Sequence, residues 1–324
     1  MSRIWKKSGK VSSEATISTA KKLAVIRLID YLRRMINVIT NKLTALLGTI
    51  LLLTSCATAT LSEYPGVGRV KRYDFYSYDL PSAFDGFRIG FASDFHYESR
   101  FKRSELDNAV RALKSMHADV LLLGGDYRSP KGGDLDTLFT ALGRVFTPYG
   151  TFGVMGNHDY GYCYSEVAEA MRKNKVRLME HQSYKLMKDG QHIIISGVRN
   201  PFDLKKNGDS PSQHFSADEF IVLLTHTPDY AEDTDVSNAN LVLAGHTHGG
   251  QVSLFKKYSP VKHSIYGNRF LTGWKENSKG TPIIITNGLG TSRLNVRLFT
   301  PSEVVLVVLH RVEKQEKGKE IEQL

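Results

Sequence analysis

Five short clusters contain the histidine, carboxylate and amide side chains with the clearest capacity for chemistry. They read Asp94-Phe95-His96, Gly125-Asp126, Gly156-Asn157-His158-Asp159, His226 and Gly245-His246-Thr247-His248. Imidazole and carboxylate groups without thiolates suit Mn²⁺, Fe or Zn²⁺, and they are too rich in nitrogen for a Ca²⁺ or Mg²⁺ site. The clusters therefore predict a transition-metal centre.

Seven of these side chains are metal-ligand candidates, which is more than one ion needs. They are Asp94, His96, Asp126, Asn157, His226, His246 and His248. Sharing Asp126 between two ions gives each ion four protein ligands and leaves positions for water and substrate. Residues two apart point the same way in an extended chain, so the Asp-x-His and His-x-His pairs can each face one site.

Eight short, continuous apolar runs position these clusters along the chain. The runs are Arg88–Ser93, Asp119–Gly124, Thr151–Met155, His192–Val198, Phe220–Thr225, Asn240–Ala244, Pro282–Thr286 and Val304–Leu309. Continuous apolarity predicts strands that are buried on both faces. Five of the runs end directly before a cluster, and ligands bind at the carboxyl edge of open α/β sheets. We therefore expect the five clusters to converge.

Each cluster alone also has a structural explanation. Asp-x-His and Gly-Asp occur often in turns and helix caps, and a single histidine such as His226 is more often a buried, hydrogen-bonded one. Gly-His-Thr-His-Gly-Gly at 245–250 is the most specific motif, because two histidines among three glycines contribute little to packing. Five clusters at five strand ends favour one shared site over coincidence.

Segments whose apolar residues have helical spacing lie between the early predicted strands. Apolar residues recur at helical intervals over Leu106–Met116, Leu135–Phe146 and Val167–Met171. This alternation predicts an α/β fold whose sheets are covered by helices. We expect a linker and lead-in strand at 61–85, the main domain at 86–310 and a charged tail at 311–324.

Composition excludes several classes of protein. The chain of 324 residues is 41% hydrophobic and 23% charged, unlike collagen, a coiled coil, a disordered chain or a multi-span membrane protein. Residues 1–34 contain nine basic and two acidic residues, and so carry +7 of the net charge of +10. Because the remainder is nearly neutral, it lacks the basic surface that a nucleic-acid-binding domain needs.

The N-terminal region predicts the cellular localisation of the protein. Leu43–Thr54 is an uncharged run, short for a bilayer span of about 20 residues, with the length of a signal-peptide core. Ser55 and Cys56 follow this run, and the sequence Leu53-Thr54-Ser55-Cys56 resembles a bacterial lipoprotein box with an acylated cysteine. We expect a basic extension at 1–34, with Met35 as an alternative start, and a signal peptide or uncleaved membrane anchor at 35–60. Both readings predict a membrane-associated protein of the cell envelope.

The five clusters, in this order, resemble those of the calcineurin-like metallophosphoesterases over residues 86–310. Gly245–Val252, Asn287–Arg293 and Pro301–Glu303 look most like the bacterial membrane-associated subgroup. That subgroup includes phosphodiesterases similar to UDP-2,3-diacylglucosamine pyrophosphatases. The resemblance implies a four-layer α/β/β/α sandwich with mixed sheets and a di-metal site at the carboxyl ends of the strands.

The resemblance also implies roles for individual residues. One ion is held by Asp94, His96, Asp126 and His248, and the other by Asp126, Asn157, His226 and His246. His158, oriented by Asp159, protonates the leaving oxygen. The chain departs from relatives at Ser129, where many have an aspartate, and at Arg199-Asn200-Pro201, where an acidic residue is expected. Arg128, Arg199 and Arg293 are further candidates for phosphate binding, because guanidinium matches phosphate geometry.

These assignments predict a metal-dependent phosphoesterase, most simply a phosphodiesterase or pyrophosphatase. A hydroxide bridging two divalent ions, with Mn²⁺ expected and Fe or Zn²⁺ as alternatives, attacks phosphorus while His158 acts as the acid. We expect a lipid-linked or nucleotide-sugar substrate, such as one similar to UDP-2,3-diacylglucosamine. The alternatives are a phosphomonoesterase or phosphoprotein phosphatase, and a non-catalytic binding protein on the same fold.

Overall fold

Two six-stranded sheets pack face to face in the main part of the chain. The computed structural model describes residues 27–47, 63–98, 101–129, 132–204, 208–254, 257–292 and 295–313. Contacts divide the chain into a unit at Met1–Ala57 and a unit at Thr58–Leu324. Both sheets belong to the second unit.

Sheet 1 has the strand order β1-β12-β2-β3-β4-β5. Its strands are β1 Arg69–Ser77, β2 Arg88–Ala92, β3 Val120–Leu123, β4 Thr151–Gly153, β5 Val176–Leu178 and β12 Glu303–Arg311. Strands β2 to β5 are parallel, β12 runs antiparallel to β2, and β1 runs parallel to β12. The carboxyl ends of β2, β3 and β4 therefore share one edge of the sheet.

Sheet 2 has the strand order β10-β11-β9-β8-β7-β6. Its strands are β6 Gln182–Lys188, β7 Gln191–Gly197, β8 Ile221–Leu224, β9 Leu241–Ala244, β10 Gly273–Glu276 and β11 Pro282–Ile285. The four central strands are parallel, and β6 and β10 are antiparallel to their neighbours at the two edges. Sheet 2 thus also places several strand ends together.

Burial on both faces explains the continuous apolar runs. In β3, Val120 and Leu122 pack into the core between the sheets, whereas Leu121 and Leu123 pack beneath the helices. In β8, Val222 faces the core between the sheets. Alternate residues point to opposite faces of a strand, so a strand covered on both sides needs an apolar residue at every position.

Helices cover sheet 1 more completely than sheet 2. Among the residues that the structure describes, the α-helices of this unit include α2 Arg103–Ser115, α3 Leu135–Leu142, α4 Asn157–Tyr162, α5 Tyr164–Lys173 and α6 Tyr230–Asp233. Helices α2, α3 and α5 bury their apolar faces on sheet 1. The outer face of sheet 2 packs against α6 and against loop residues such as Val236 and Phe270. In the described part of the chain the fourth layer therefore contains short helical segments and loops.

The sequence predicted most of these elements. Each of the eight apolar runs overlaps a strand, and the three predicted helices correspond to α2, α3 and α5. The predicted extension of the second helix to Phe146 is wrong, because α3 ends at Leu142 and the Phe146 side chain is exposed. Strand β1 occupies part of the predicted lead-in segment and pairs with β12.

The N-terminal unit contributes one helix to the described residues. Residues 27–47 form helix α1, whose side chains are exposed. Within the described ranges, no helix has the length and apolarity needed to cross a bilayer. Cys56 and most of the apolar run that precedes it lie outside the described residues, as does the tail from residue 314.

Candidate metal centre

The structure brings the five predicted clusters together where the two sheets meet. Sheet 1 contributes the loops after β2, β3 and β4, and sheet 2 contributes the loops after β8 and β9. Six carboxylate and imidazole ligand candidates, together with His158, form three overlapping groups. The groups are Asp94-His96-His248, His96-Asp126-His158 and Asp126-His226-His246, and the ligand atoms within each lie within 4.8 Å of one another.

One group joins Asp94 and His96 from sheet 1 to His248 from sheet 2. The His248 Nε2 atom lies 3.5 Å from Asp94 Oδ1 and 3.2 Å from His96 Nε2. All three side chains are buried. Two ring nitrogens and one carboxylate oxygen therefore converge on a small volume from both sheets.

The second group surrounds Asp126 and includes the amide of Asn157. The His226 Nε2 atom lies 3.5 Å from Asp126 Oδ2, 3.2 Å from His246 Nδ1 and 3.3 Å from Asn157 Oδ1. Asp126 Oδ2 also lies 3.6 Å from His96 Nε2 and 3.9 Å from His158 Nε2. A single carboxylate oxygen thus faces both groups.

Asp94 and Asp126 each accept hydrogen bonds through one carboxylate oxygen and present the other oxygen to the cluster. Asp94 Oδ2 accepts hydrogen bonds from the Ser93 hydroxyl at 2.6 Å and from the His246 amide at 3.0 Å. Asp94 Oδ1 is buried and has no hydrogen-bond partner among the described residues. Asp126 Oδ1 likewise accepts from the His158 amide at 3.0 Å, which leaves Oδ2 facing the histidines. These bonds fix the direction of both carboxylates.

A hydrogen bond also fixes the orientation of His226. Its Nδ1 atom lies 2.7 Å from the Gly124 carbonyl oxygen, which accepts the ring proton. The Nε2 atom then points into the cluster. An imidazole held in this way is typical of metal ligands in proteins.

The backbone around the cluster is held in an uncommon conformation. Five of the ligand candidates have φ between 44° and 68°: Asp94, His96, Asp126, His246 and His248. This left-handed region is sparsely populated by residues other than glycine and is enriched at functional sites. Gly156 and Gly245 leave room for the carboxylates, because a Cβ atom at either position collides with Asp126 or Asp94 respectively.

Asp159 connects the loops of sheet 1. Its carboxylate accepts backbone N–H bonds from Asp126 at 2.8 Å, Gly156 at 2.9 Å and Tyr127 at 3.0 Å. The expected bond to the His158 ring is absent, since His158 Nδ1 has no hydrogen-bond partner among the described residues. Asp159 therefore organises the turns that carry Asp126 and Asn157, and it does not orient the His158 ring.

Burial sets the protonation of most of the histidines. It lowers the pKa of His96 to about 4 and that of His246 to about 3, the latter with help from the charge of His226. Burial and the neighbouring His96 also lower the pKa of His248 well below the ordinary value. These three imidazoles are therefore neutral at pH 7, which is the form that binds a metal ion.

Asp126 and His226 form a charged pair at the centre of the cluster. Burial opposes both charges, but the histidines, led by His226, hold the pKa of Asp126 below its ordinary value. Asp126 in turn outweighs burial at His226 and raises its pKa to about 9. The Asp126 carboxylate thus attracts positive charge, which His226 supplies as an imidazolium when no cation is bound.

The donor set fits a divalent cation. Asp94 Oδ1 lacks a hydrogen-bond donor, two neutral ring nitrogens face each other at 3.2 Å, and Asp126 Oδ2 faces three histidines. Divalent cations can satisfy these electron pairs. A buried polar group that lacks a partner instead lowers the stability of the folded state. The chemistry of the residues therefore matches divalent metal binding.

Arg297 supports the loops on both sides of the centre, a role that no motif in the sequence indicated. Its guanidinium donates to the carbonyl oxygens of His248 at 3.2 Å and Asn287 at 2.8 Å, and also to that of Gly290. The Gly290 amide donates to the Asp94 carbonyl at 2.7 Å. Arg297 thereby links the loop of His248 to the backbone of Asp94.

Arg199 and Asn200, where the sequence departs from relatives, follow the carboxyl end of β7. Burial raises the pKa of Glu180, and the hydrogen bond from Tyr160 and the positive charge of Arg199 oppose that rise. The Asn200 amide donates to the Tyr160 hydroxyl at 2.9 Å. Arg128 follows Asp126 in the same loop and pairs with Tyr97 in an isolated bridge. Arg293 lies outside the described residues.

The sequence model of the family described as calcineurin-like phosphoesterase matches residues 87–250. The uncharacterized metallophosphoesterase of Aquifex aeolicus is 27% identical over 254 residues, covering 74% of this chain and 91% of that protein. The uncharacterized metallophosphoesterase YkuE of Bacillus subtilis is 27% identical over 234 residues, covering 71% of this chain and 81% of YkuE.

Other relatives are longer than the matched region. A Campylobacter jejuni metallophosphoesterase, 26% identical over 237 residues, is covered over 61% of its length and 71% of this chain. A Bos taurus transmembrane protein with a metallophosphoesterase domain, 26% identical, is covered over 54% of its length and 71% of this chain. Among solved structures, a dimetal phosphatase from Danio rerio is 12% identical with a TM-score of 0.38, covering 63% of this chain and 88% of that one.

Proposed function

The chain belongs to the calcineurin-like phosphoesterase family, and we propose that it hydrolyses phosphodiester or pyrophosphate bonds with two divalent cations. Membership makes it a metal-dependent hydrolase of phosphoesters. The observation that carries the proposal is the position of Asp126 Oδ2, which lies 3.5 to 3.9 Å from the Nε2 atoms of His226, His96 and His158. A carboxylate shared in this way suits a pair of cations.

We assign one cation to the first group and the other to the second. Asp94, His96, Asp126 and His248 hold one ion, and Asp126, Asn157, His226 and His246 hold the other. Each set contains two or more imidazoles, oxygen donors and no thiolate, which favours Mn²⁺ and also admits Fe or Zn²⁺. The side-chain directions described above support this assignment.

Divalent cations bound here supply Lewis acidity toward phosphoryl oxygens and lower the pKa of a bound water. The residues of the chain orient the metal ligands and donate a proton to the leaving oxygen. Asp94 and Asp126 are aimed by their hydrogen bonds, and Asp159 fixes the turns that carry Asp126 and Asn157. These bonds are made before substrate arrives, so little reorganisation is needed at the moment of reaction.

His158 is the proposed acid of the reaction. Its side chain is 24% exposed, whereas those of His96, His226 and His248 are at most 2% exposed. Its Nε2 atom faces Asp126 Oδ2 at 3.9 Å and is open to an incoming substrate. A proton on Nε2 can pass to the leaving oxygen, a step that general-acid residues typically accelerate by about 10²- to 10⁴-fold.

A panel of substrates assayed with Mn²⁺ tests the reaction type. The panel contains nitrophenyl phosphate, bis-nitrophenyl phosphate and a nucleotide diphosphate sugar. The proposal predicts faster hydrolysis of the diester or the pyrophosphate than of the monoester. A preference for the monoester supports the phosphatase alternative instead. No hydrolysis of any compound by the metal-loaded protein supports a binding protein and ends the proposal.

We also propose attachment to a membrane through residues 35–60, either by acylation of Cys56 or by an uncleaved anchor. The uncharged run Leu43–Thr54 and the Leu53-Thr54-Ser55-Cys56 box support this proposal. A relative in Bos taurus is named as a transmembrane protein with a metallophosphoesterase domain. Mass spectrometry of the purified N-terminus decides between cleavage with acylation and an intact anchor, and a soluble, unmodified N-terminus contradicts both.

A further inference from the structure

Exposed apolar side chains lie in the segments that carry or contact the histidines of the metal centre. Four of them are at least 39% exposed: Tyr162 at 64%, Phe202 at 47%, Val261 at 39% and Ile265 at 79%. The Phe202 ring centroid lies 5.2 Å from that of His246, and the Tyr162 ring centroid lies 6.0 Å from that of His158. Exposed apolar groups grouped beside a polar site are characteristic of ligand-binding surfaces.

Val261 and Ile265 belong to a segment, residues 259–265, that lies against the same histidines. The ring of His263 lies 6.1 Å from that of His246 and 5.9 Å from that of His248, measured between centroids. His263 is half-buried, whereas Val261 and Ile265, two residues before and after it in the chain, are exposed. The segment therefore brings two exposed apolar side chains next to a histidine that contacts the metal centre.

Hydrogen bonds fix this segment at both ends. The Ser259 hydroxyl lies 3.1 Å from the Gly250 carbonyl oxygen, in the loop that carries His248, and 2.8 Å from the Val261 carbonyl oxygen. The Ile265 amide donates to Asp229 Oδ2 at 2.9 Å. Ile265 is thus exposed on an anchored backbone, so its exposure does not result from a loose loop.

The loop of Phe202 is anchored to the opposite side of the centre. The Asn200 amide donates to the Tyr160 hydroxyl at 2.9 Å, and that hydroxyl donates to Glu180 at 2.9 Å. Tyr160 lies in α4, the helix that also carries His158 and Tyr162. The segment 259–265 and the loop of Phe202 are therefore both attached to the loops that carry the ligand candidates.

We propose that Tyr162, Phe202, Val261 and Ile265 form an apolar collar that binds an aryl or alkyl group esterified to the substrate's phosphate. This inference rests on the proposed function and defines the substrate class of the same site. Each methylene group fully buried in such a collar raises affinity about fourfold. A phosphoester with an apolar ester group should therefore be preferred to one with a small group.

Three diesters with a common nitrophenyl leaving group test the collar, using the full chain loaded with Mn²⁺. The second ester group is methyl, hexyl or phenyl. The collar predicts a kcat/KM for the hexyl or phenyl ester about tenfold or more above that for the methyl ester, and the better of the two identifies an alkyl or an aryl substrate. Binding of hexylphosphonate and methylphosphonate, measured by calorimetry, gives a second readout without turnover.

Variants assign the preference to particular residues. Phe202→Ala and Ile265→Asn should each lower the hexyl-to-methyl ratio of kcat/KM several-fold. Phe146→Ala is the matched control, because Phe146 is an exposed phenylalanine that precedes the amino end of β4, at the edge of sheet 1 away from the metal centre. It should leave the ratio unchanged.

The outcomes separate the collar from the proposed function. Hydrolysis of all three esters at equal kcat/KM, or a ratio unaffected by Phe202→Ala and Ile265→Asn, overturns the collar and leaves the phosphodiesterase standing. Absence of hydrolysis overturns the proposed function, and the calorimetry then decides the collar alone: equal affinity for the two phosphonates rejects it, and tighter binding of hexylphosphonate supports it.

Discussion

The two sheets contribute different chemistry to the metal centre. The edge of sheet 1 supplies both aspartates, Asn157 and two histidines, and its loops are joined through the buried carboxylate of Asp159. The edge of sheet 2 supplies only imidazoles, from His226, His246 and His248. In the proposed assignment, each cation takes ligands from both edges.

This difference teaches that the centre exists only where the sheets meet. Asp94 from sheet 1 is aimed by the amide of His246 from sheet 2, and His226 from sheet 2 pairs with Asp126 from sheet 1. Carboxylates from sheet 1 thus face imidazoles from sheet 2. The sandwich is therefore a requirement of the chemistry as well as of packing.

The strongest way to break this arrangement is to remove the carboxylate shared by the two groups. Asp126→Ala should lose both cations and reduce kcat/KM by about 1,000-fold or more, because an oxygen donor that both proposed ions share is lost. Elemental analysis of the purified variant and an assay with bis-nitrophenyl phosphate check both effects.

Asp136→Ala is the control for that experiment, since it removes an exposed aspartate from α3. It should retain normal metal content and activity. Retention of metal and of activity by Asp126→Ala contradicts the assignment of Asp126 as the shared ligand.

His158 should separate catalysis from metal binding within sheet 1. His158→Ala should keep normal metal content and lose about 100- to 1,000-fold in kcat, because it removes the proposed proton donor and no proposed ligand. His192→Ala, which removes a half-buried histidine paired with Glu219, provides a comparison that should retain activity. Full activity of His158→Ala discards the acid role, and loss of metal makes His158 a ligand.

Asp159 tests whether the loops of sheet 1 need their central carboxylate. Asp159→Asn replaces one of two accepting oxygens with an amide that repels the backbone N–H groups of Asp126, Tyr127 or Gly156. We expect metal affinity to fall about 10- to 100-fold. Calorimetric titration with Mn²⁺ measures the change, and unchanged affinity shows that the turns hold without this carboxylate.

The position of the site could be predicted because strand ends are visible in the sequence. Apolar runs such as those before Asp126 and His246 stop abruptly at polar residues, and parallel strands bring their carboxyl ends to one edge. The surplus of ligand candidates suggested that two ions share Asp126, and the resemblance implied which residues hold each ion. The spacing of side chains in the structure is compatible with that sharing.

Contacts between distant loops could not be predicted in this way. Phe202 and Arg297 act through residues far away in sequence, and no periodic pattern marks them. The role of Asp159 had a local signal, because an acidic residue in the first turn of a helix often accepts the backbone N–H groups there. Phe146 followed the helical spacing, but α3 ends before it at Gly143.

The smallest expected effect concerns stability, and it tests whether cations join the two sheets. Removal of the ions by a chelator should lower the melting temperature by several degrees, since a ligand at about 1,000 times its Kd stabilises the folded state by about 4 kcal/mol. Calorimetry with and without Mn²⁺ measures the shift. Asp126→Ala should melt at the same temperature in both conditions, and a Mn²⁺-dependent shift in that variant contradicts the account.

The most direct test of the central claim is a titration of the metal-free protein with Mn²⁺, following bound metal and hydrolysis of bis-nitrophenyl phosphate together. The account predicts no turnover without metal and full activity once about two ions per chain are bound. Undiminished turnover by the metal-free protein, or activity that returns without any bound metal, contradicts the claim that the two sheets together hold the catalytic cations.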